Sequence, residues 1–255
     1  MKSLLRLFAA TTAVLLAVLL LPAAAQSISP AQRKEIEAII KDYLVKNPEV
    51  LQEAYMELEK RQAVAEAAKH QSAVKDHAEA LFNSKRQVVL GNPKGDVTMV
   101  EFFDYNCGYC KRALSDMLEL MKGDPKLRVV LKEFPVLGEA SIEAARVSVA
   151  ARMQDATGKK YLDFHQKLLG TRGSIGRPQA LAAAKDAGFD MSRLERDMAS
   201  DETKATLEES FKLADALGLS GTPSYVIGSQ VVIGAVGLAN LQQKVNTARC
   251  GKTSC

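Results

Sequence analysis

The sequence predicts an α/β domain with a helical insertion, carried behind an N-terminal helical stalk. Three observations predict it. Val97 to Phe103 is a continuous apolar run broken by one acid, the pattern of a buried strand. The elements around it read β-α-β, then a helical block, then β-β-α, which is the order of an α/β sheet. Residues 29–86 carry apolar side chains at helical spacing instead. The 255 residues suffice for one large domain plus an appendage. A hydrophobic fraction of 47% and a charged fraction of 25% fit a soluble globular protein. The net charge of +4 is too slight to suggest a nucleic-acid or polyanion partner.

Residues 1–25 are a different material. Lys2 and Arg6 form a basic start, an apolar run spans Leu7 to Leu21, and Pro22 precedes Ala23-Ala24-Ala25. This is the three-part pattern of a secretory signal peptide, with cleavage expected after about Ala25. A membrane anchor is the competing reading, but the run is short of the roughly 20 apolar residues that a spanning helix needs. The mature protein is therefore expected outside the cytosol, in the periplasm.

The stalk is expected over residues 26–86. Ser29 is a good N-cap, with Pro30 at the first helical position. Ile36, Ile39, Ile40, Tyr43 and Leu44 follow at helical spacing. Asn47-Pro48 breaks the pattern, with Asn47 expected to cap a second helix. Val50, Leu51, Tyr55 and Leu58 make a second apolar stripe. From Glu59 to Lys85 helix propensity is high and apolar residues are sparse. Such stripes dock on their own domain or pair with copies of themselves, and the sequence favours self-association. His70 and His77 share a helix face, but without a third ligand they read as solvated residues.

The α/β domain is expected over residues 87–255. Val88-Val89-Leu90 reads as a short strand, followed by turn chemistry from Gly91 to Gly95. A helix is predicted from about Cys107 to Lys122 and a strand from Leu127 to Leu131. Helical segments separated by glycines fill about 138–217. A hairpin around Gly228-Ser229 and a helix from about Leu238 to Ala248 complete the pattern.

Four cysteines are present: Cys107, Cys110, Cys250 and Cys255. In an exported chain an even number usually means disulfides. A chain of this size builds its own core, so reactive chemistry becomes the better reading. Cys107 and Cys110 lie just after a buried strand, at the start of a helix. The free amides and positive end of that helix stabilise a thiolate, making Cys107 the expected nucleophile. Cys110, one turn further in, is placed to resolve a mixed disulfide. Gly108 lets a substrate chain approach, and Tyr109 offers an aromatic surface beside the sulfur. Two competing readings are a four-cysteine zinc site and a purely structural Cys107–Cys110 bridge. Export and the strand-to-helix placement disfavour zinc, and so short a loop gains little chain entropy from a bridge. No metal or cofactor is expected.

Phe102-Phe103-Asp104-Tyr105-Asn106-Cys107-Gly108-Tyr109-Cys110-Lys111 strongly resembles the active-site segment of the DsbA-like thioredoxin superfamily. Gly221-Thr222-Pro223-Ser224, just before a strand, resembles its second signature. The resemblance covers Gln87 to about Ala248 and implies a thioredoxin-like fold. It implies that Pro223 is cis and faces the cysteines, and that the Thr222 backbone offers an edge to an extended substrate. It further implies that Glu101 is a buried acid able to take a proton from the inner cysteine, with Lys132 near that acid. An ordinary strand charge pair is the competing reading of both.

Two departures refine the resemblance. Gly108-Tyr109 stands where DsbA-type oxidases have Pro-His, and Gly-Tyr is the pair of DsbC-type isomerases, which also have Thr before the cis proline. Without that histidine the thiolate should be less stabilised and the disulfide a weaker oxidant. Lys41 to Leu51 is similar to the leader helices of ScsC-like and Com1-like exported proteins, which in ScsC-like members assemble trimers. The implied activity is that of a thiol-disulfide oxidoreductase, as isomerase or reductase of misdisulfided exported proteins, kept reduced by a membrane thiol reductase. A DsbA-type oxidase served by a membrane oxidase is the alternative. A chaperone or surface-exposed binding protein is the alternative of another class. Cys250 and Cys255, outside the core resemblance, are expected to form a tail disulfide, with a second redox pair or an inter-chain bond as alternatives.

Overall fold

The computed structural model describes residues 28–155 and 157–255. The expected signal peptide, residues 1–25, lies outside the described residues. Among the described residues, no helix is long and apolar enough to cross a membrane. The chain divides into two compact units between Lys60 and Arg61.

In the first unit, α1 (Pro30–Lys46) opens with a full capping box. Ser29 Oγ accepts from the Gln32 amide at 3.2 Å, and Gln32 Oε1 accepts from the Ser29 amide at 2.9 Å. Proline at position 48 disfavours helical backbone at Asn47, which ends the helix. The Asn47 side chain donates to the Tyr43 carbonyl at 2.8 Å. It thus closes α1 instead of capping the next helix, contrary to the sequence expectation. α1 buries no residue. Ile39, Tyr43, Leu51 and Tyr55 are each more than half exposed.

α2 (Glu49–Asp76) starts in this unit, and its last turns belong to the second. There Val74, together with Leu81 of α3 (Ala78–Phe82), is buried in an apolar cluster. That burial ties the end of α2 and all of α3 to the second unit.

The second unit is built on a five-stranded sheet. β1 (Val88–Gly91), β2 (Val97–Phe103), β3 (Leu127–Glu133), β4 (Ser224–Ile227) and β5 (Gln230–Ile233) run in the order β1-β3-β2-β4-β5. β2 and β3 are parallel and the other pairs antiparallel. The parallel pair requires a crossover, which α4 (Gly108–Gly123) supplies. Gly91 ends β1 at φ +67°, where a side chain would also meet the Leu127 carbonyl.

Alternation along β2 divides its side chains between two cores. Met99 and Phe103 join the larger one with Met117 and Leu120 of α4, and with Leu241 and Val245 of α10 (Leu238–Cys250). Val100 and Phe102 join Val74, Leu81 and Leu213 on the other face. Each such side chain contributes roughly 1.5–3 kcal/mol on burial. The insertion comprises α5 (Glu139–Arg152), α6 (Lys159–Gly170), α7 (Arg177–Asp186), α8 (Met191–Met198) and α9 (Asp201–Ala216).

Candidate active site

Central strand β2 delivers the chain to a turn built on Asp104. Its buried carboxylate accepts from the amides of Asn106 at 2.8 Å and of Val136 and Leu137 at 2.9 Å each, and from Ser141 Oγ at 2.7 Å. Its carbonyl accepts from the Cys107 amide at 3.0 Å. Asn106 extends the anchorage: its side chain donates to the Ile175 carbonyl at 2.8 Å and accepts from the Ile175 amide at 2.7 Å. Lys111 Nζ donates to the Thr171 carbonyl at 2.8 Å. The turn is thereby fastened to the insertion on several sides. The sequence reading missed Asp104 and Asn106, although an Asp at a strand exit before a helix is recognisable turn chemistry.

Cys107 caps α4 and Cys110 lies in its first turn. Both thiols are free and largely buried. Cys107 Sγ donates to the Thr222 carbonyl at 3.1 Å. The Thr222-Pro223 peptide bond is cis, and the Pro223 carbonyl accepts from the Gly234 amide at 2.8 Å. The structure thus brings together the two segments that carry the resemblance.

The two thiols differ sharply. A hydrogen bond from Cys110, helped by the Thr222 side chain and the amides of Cys110 and Tyr109, lowers Cys107 to about 5 against the opposing effect of burial. The same thiol–thiol bond, together with burial and the charge of Glu101, raises Cys110. The outer sulfur therefore holds the negative charge and the inner one the proton.

Glu101 is buried on the same face of β2, and burial raises its carboxyl to about 8, with Asp116 and Cys107 adding like charge. Lys132 is not brought to it. In the β2–β3 register Lys132 lies opposite Phe102 and Glu101 opposite Leu131, so the two side chains point to opposite faces. Lys132 Nζ donates to the Ala80 carbonyl at 2.7 Å and pairs with Glu209 at 3.2 Å. The expected Lys132–Glu101 pairing is therefore corrected. Gly108 has nothing within 4 Å of where a side chain would start, and Tyr109 is 58% exposed with Arg112 4.5 Å above its ring. Both border Cys107 on the open side.

Cys250 and Cys255 are bonded, with Cα atoms 6.4 Å apart. Arg249 pairs with Asp96 and with Asp124 at the far end of α4, each at 2.8 Å. The tail disulfide therefore lies a helix length from Cys107, about 24 Å at 1.5 Å per residue.

Comparison with known proteins agrees with this geometry. Residues 32–65 match the copper resistance protein ScsC N-terminal domain. Among solved structures the chain is similar to a thioredoxin-like oxidoreductase from Silicibacter pomeroyi, with 45% identity and a TM-score of 0.63 over 67% of this chain and 96% of that one. It is also similar to Proteus mirabilis ScsC in a transitional conformation (29%, TM-score 0.64, 88% and 98%). The thiol-disulfide exchange protein alpha-DsbA2 from Wolbachia pipientis is comparable (29%, TM-score 0.66, 71% and 97%). Among curated proteins, the Na(+)/H(+) antiporter NhaA 1 of Salinispora arenicola is 26% identical over 168 residues. That match takes in 65% of this chain but 25% of the antiporter, so the chain spans about a quarter of the curated relatives' length. Residues 98–246, more than half of the chain, match the DSBA-like thioredoxin domain, and the chain belongs to that family.

Proposed function

We propose that this protein is an exported protein thiol-disulfide oxidoreductase that isomerises or reduces wrong disulfides in other exported proteins. The observation that carries the reading is the unequal thiol pair: Cys107 at a helix N-terminus, 3.1 Å from the Thr222 carbonyl and lowered as a thiolate by donors from Cys110, the Thr222 side chain and nearby amides, with a protonated Cys110 one turn inside.

The Cys107 thiolate attacks one sulfur of a substrate disulfide. A Cys107–substrate bond forms, the substrate disulfide breaks, and its other sulfur leaves as a thiolate. In isomerisation a second substrate thiolate attacks that mixed disulfide and regenerates the Cys107 thiolate. In reduction Cys110 attacks Cys107 Sγ, leaving a Cys107–Cys110 disulfide and a free substrate thiol. A membrane thiol reductase then restores the dithiol. Glu101 takes the Cys110 proton in this step. The Cys107 charge that helps raise Glu101 vanishes in the mixed disulfide, so the carboxyl ionises more readily when a base is needed. Gly108 and Tyr109 receive the substrate chain, and the Thr222 backbone offers it a hydrogen-bonding edge.

The exposed apolar residues of α1 and early α2 support self-association, and the resemblance of the leader helices to those of ScsC-like proteins favours a trimer. Gathering several cysteine pairs in one assembly raises the effective concentration of catalyst around a bound substrate, which suits repeated attack. A second reading, DsbA-type oxidation, is favoured by the Cys107 value of about 5, because a well-stabilised thiolate makes its disulfide more oxidising.

The test uses a scrambled-disulfide substrate and a fully reduced one. The isomerase reading expects the reduced protein to recover native scrambled substrate. It fails if only the oxidised protein acts, and only on the reduced substrate.

A further inference from the structure

Five buried polar side chains lie behind the Cys107 turn, and none has a part in the exchange steps above. The Tyr105 hydroxyl is 3.1 Å from His165 Nδ1 and 2.9 Å from Ser148 Oγ. Ser148 Oγ is 2.6 Å from the Tyr161 hydroxyl, which lies 3.1 Å from Glu133 Oε1. All five residues are buried. The four shortest contacts run in one sequence: His165, Tyr105, Ser148, Tyr161, Glu133. A further contact, Tyr105 to Tyr161 at 3.4 Å, is the longest of the set.

Counting protons shows what this sequence permits. With Glu133 ionised, Tyr161 donates to it, Ser148 to Tyr161, Tyr105 to Ser148, and His165 Nδ1–H to Tyr105. Each of the four contacts then holds one proton. With Glu133 protonated, every donor reverses. Glu133 donates to Tyr161, Tyr161 to Ser148, Ser148 to Tyr105, and Tyr105 to the bare Nδ1 of a ring that carries its proton on Nε2. Each contact is again filled once. The two arrangements differ by a single proton. It enters at His165 Nε2, each proton in the sequence moves one place, and the last arrives on Glu133. The imidazole is neutral before and after, and the group's charge changes from −1 to 0.

The surroundings keep the intermediate members uncharged. Burial lowers His165 to about 3 and holds the Tyr105 and Tyr161 hydroxyls well above their ordinary value. Burial, and the charge of Asp104 from the turn after β2, raise Glu133 to about 8 against hydrogen bonds from Ser148 and Tyr161. Arg86 and Arg152 line the same small cavity as Glu133. Their guanidinium groups are engaged by Glu202 and, for Arg86, also by Glu209.

We propose that His165, Tyr105, Ser148, Tyr161 and Glu133 form a reversible proton relay that anchors the Cys107 turn in both protonation states of Glu133. Tyr105 is the positioning residue, two positions before Cys107 and tied through its hydroxyl to α5 and α6. The anchoring part rests on Cys107 being the nucleophile, and the relay part does not.

Nitrogen NMR of His165 in the full chain tests the relay, read from about pH 6 to about pH 9.5. The expected result is a neutral ring throughout. It carries its proton on Nε2 at low pH and on Nδ1 at high pH, with the change centred near 8, where Glu133 titrates. Glu133→Gln should abolish the change. A single tautomer across the range, or a change that survives Glu133→Gln, overturns the relay. Tyr105→Phe tests the anchor by removing the hydroxyl that ties the turn to α5 and α6 while keeping the ring. The pH midpoint of Cys107 alkylation should rise by about half a unit or more. An unmoved midpoint in the folded variant overturns the anchoring part. Labelling of parent protein at a residue other than Cys107 would overturn the nucleophile assignment instead.

Discussion

The Cys107 sulfur sits 3.1 Å from the carbonyl oxygen of Thr222, a residue 115 positions further along the chain. A substrate strand that pairs with the Thr222 backbone is therefore held within reach of the attacking atom. The cis-proline segment and Cys107 are far apart in the chain, and the β2–β4 pairing brings them together.

Alkylation of the reduced protein should label Cys107 before Cys110. Losing the Cys107 proton creates the nucleophile, so the rate should rise with pH and level off above about 5. A free thiol levels off only above about 8.5. Stopped-flow alkylation with peptide mapping checks both the order and the midpoint. Preferential labelling of Cys110 would refute the assignment.

Glu101→Gln should separate stability from chemistry. A carboxyl whose folded pKa is raised contributes stability that is fully present below its unfolded value, near 4.5, and is lost as pH rises through about 8. The variant should therefore gain melting temperature over the parent at alkaline pH and show little difference near the unfolded value. Resolution of a mixed disulfide by Cys110 should slow about tenfold or more, the scale of a lost proton acceptor.

Lys132→Met should destabilise without touching reactivity. It leaves the Ala80 carbonyl without that donor and removes one partner of Glu209, at a cost of about 3 kcal/mol. Because Lys132 faces away from Glu101, the alkylation midpoint of Cys107 should stay put. Denaturant titration and alkylation of the same sample read both, and a shifted midpoint would contradict the geometry.

Asp104→Ala should cost about 3 kcal/mol or more, since three amides and one hydroxyl lose their acceptor. The turn that presents Cys107 loosens with it. Thermal melts should show the loss, and Cys107 alkylation near pH 6 should slow.

Deleting Ser29 to Leu58 should convert an assembly of copies into single chains in light scattering. A parent protein that is already monomeric at micromolar concentration would remove the self-association reading.

The cysteine pair was legible because local signals coincide there: an apolar strand, a two-residue spacing and a helix start. Pro223 was legible through the resemblance of Gly221-Thr222-Pro223-Ser224, just before a strand, to the family's second signature. The direction of Lys132 was not, since it depends on the register of β2 against β3, and a one-residue offset between strands reverses the face. Asp104 escaped the sequence reading for a related reason: three of the four partners of its carboxylate lie more than 30 residues away. Tyr105, Ser148, Tyr161 and His165 lie up to 60 positions apart, on a turn and two helices, and no periodicity links them. Asn47 was read as opening a helix, yet Pro48 leaves it free to turn back on Tyr43.

The tail bridge between Cys250 and Cys255 lies at the far pole of α4, beyond the Arg249–Asp124 pair. Thiol exchange needs sulfurs in contact, so this distance insulates one couple from the other within a folded chain. Electrons loaded onto Cys107 and Cys110 therefore have no direct route to the tail within one folded chain, which can hold a dithiol and a disulfide together. Any traffic between them must pass from one molecule to another.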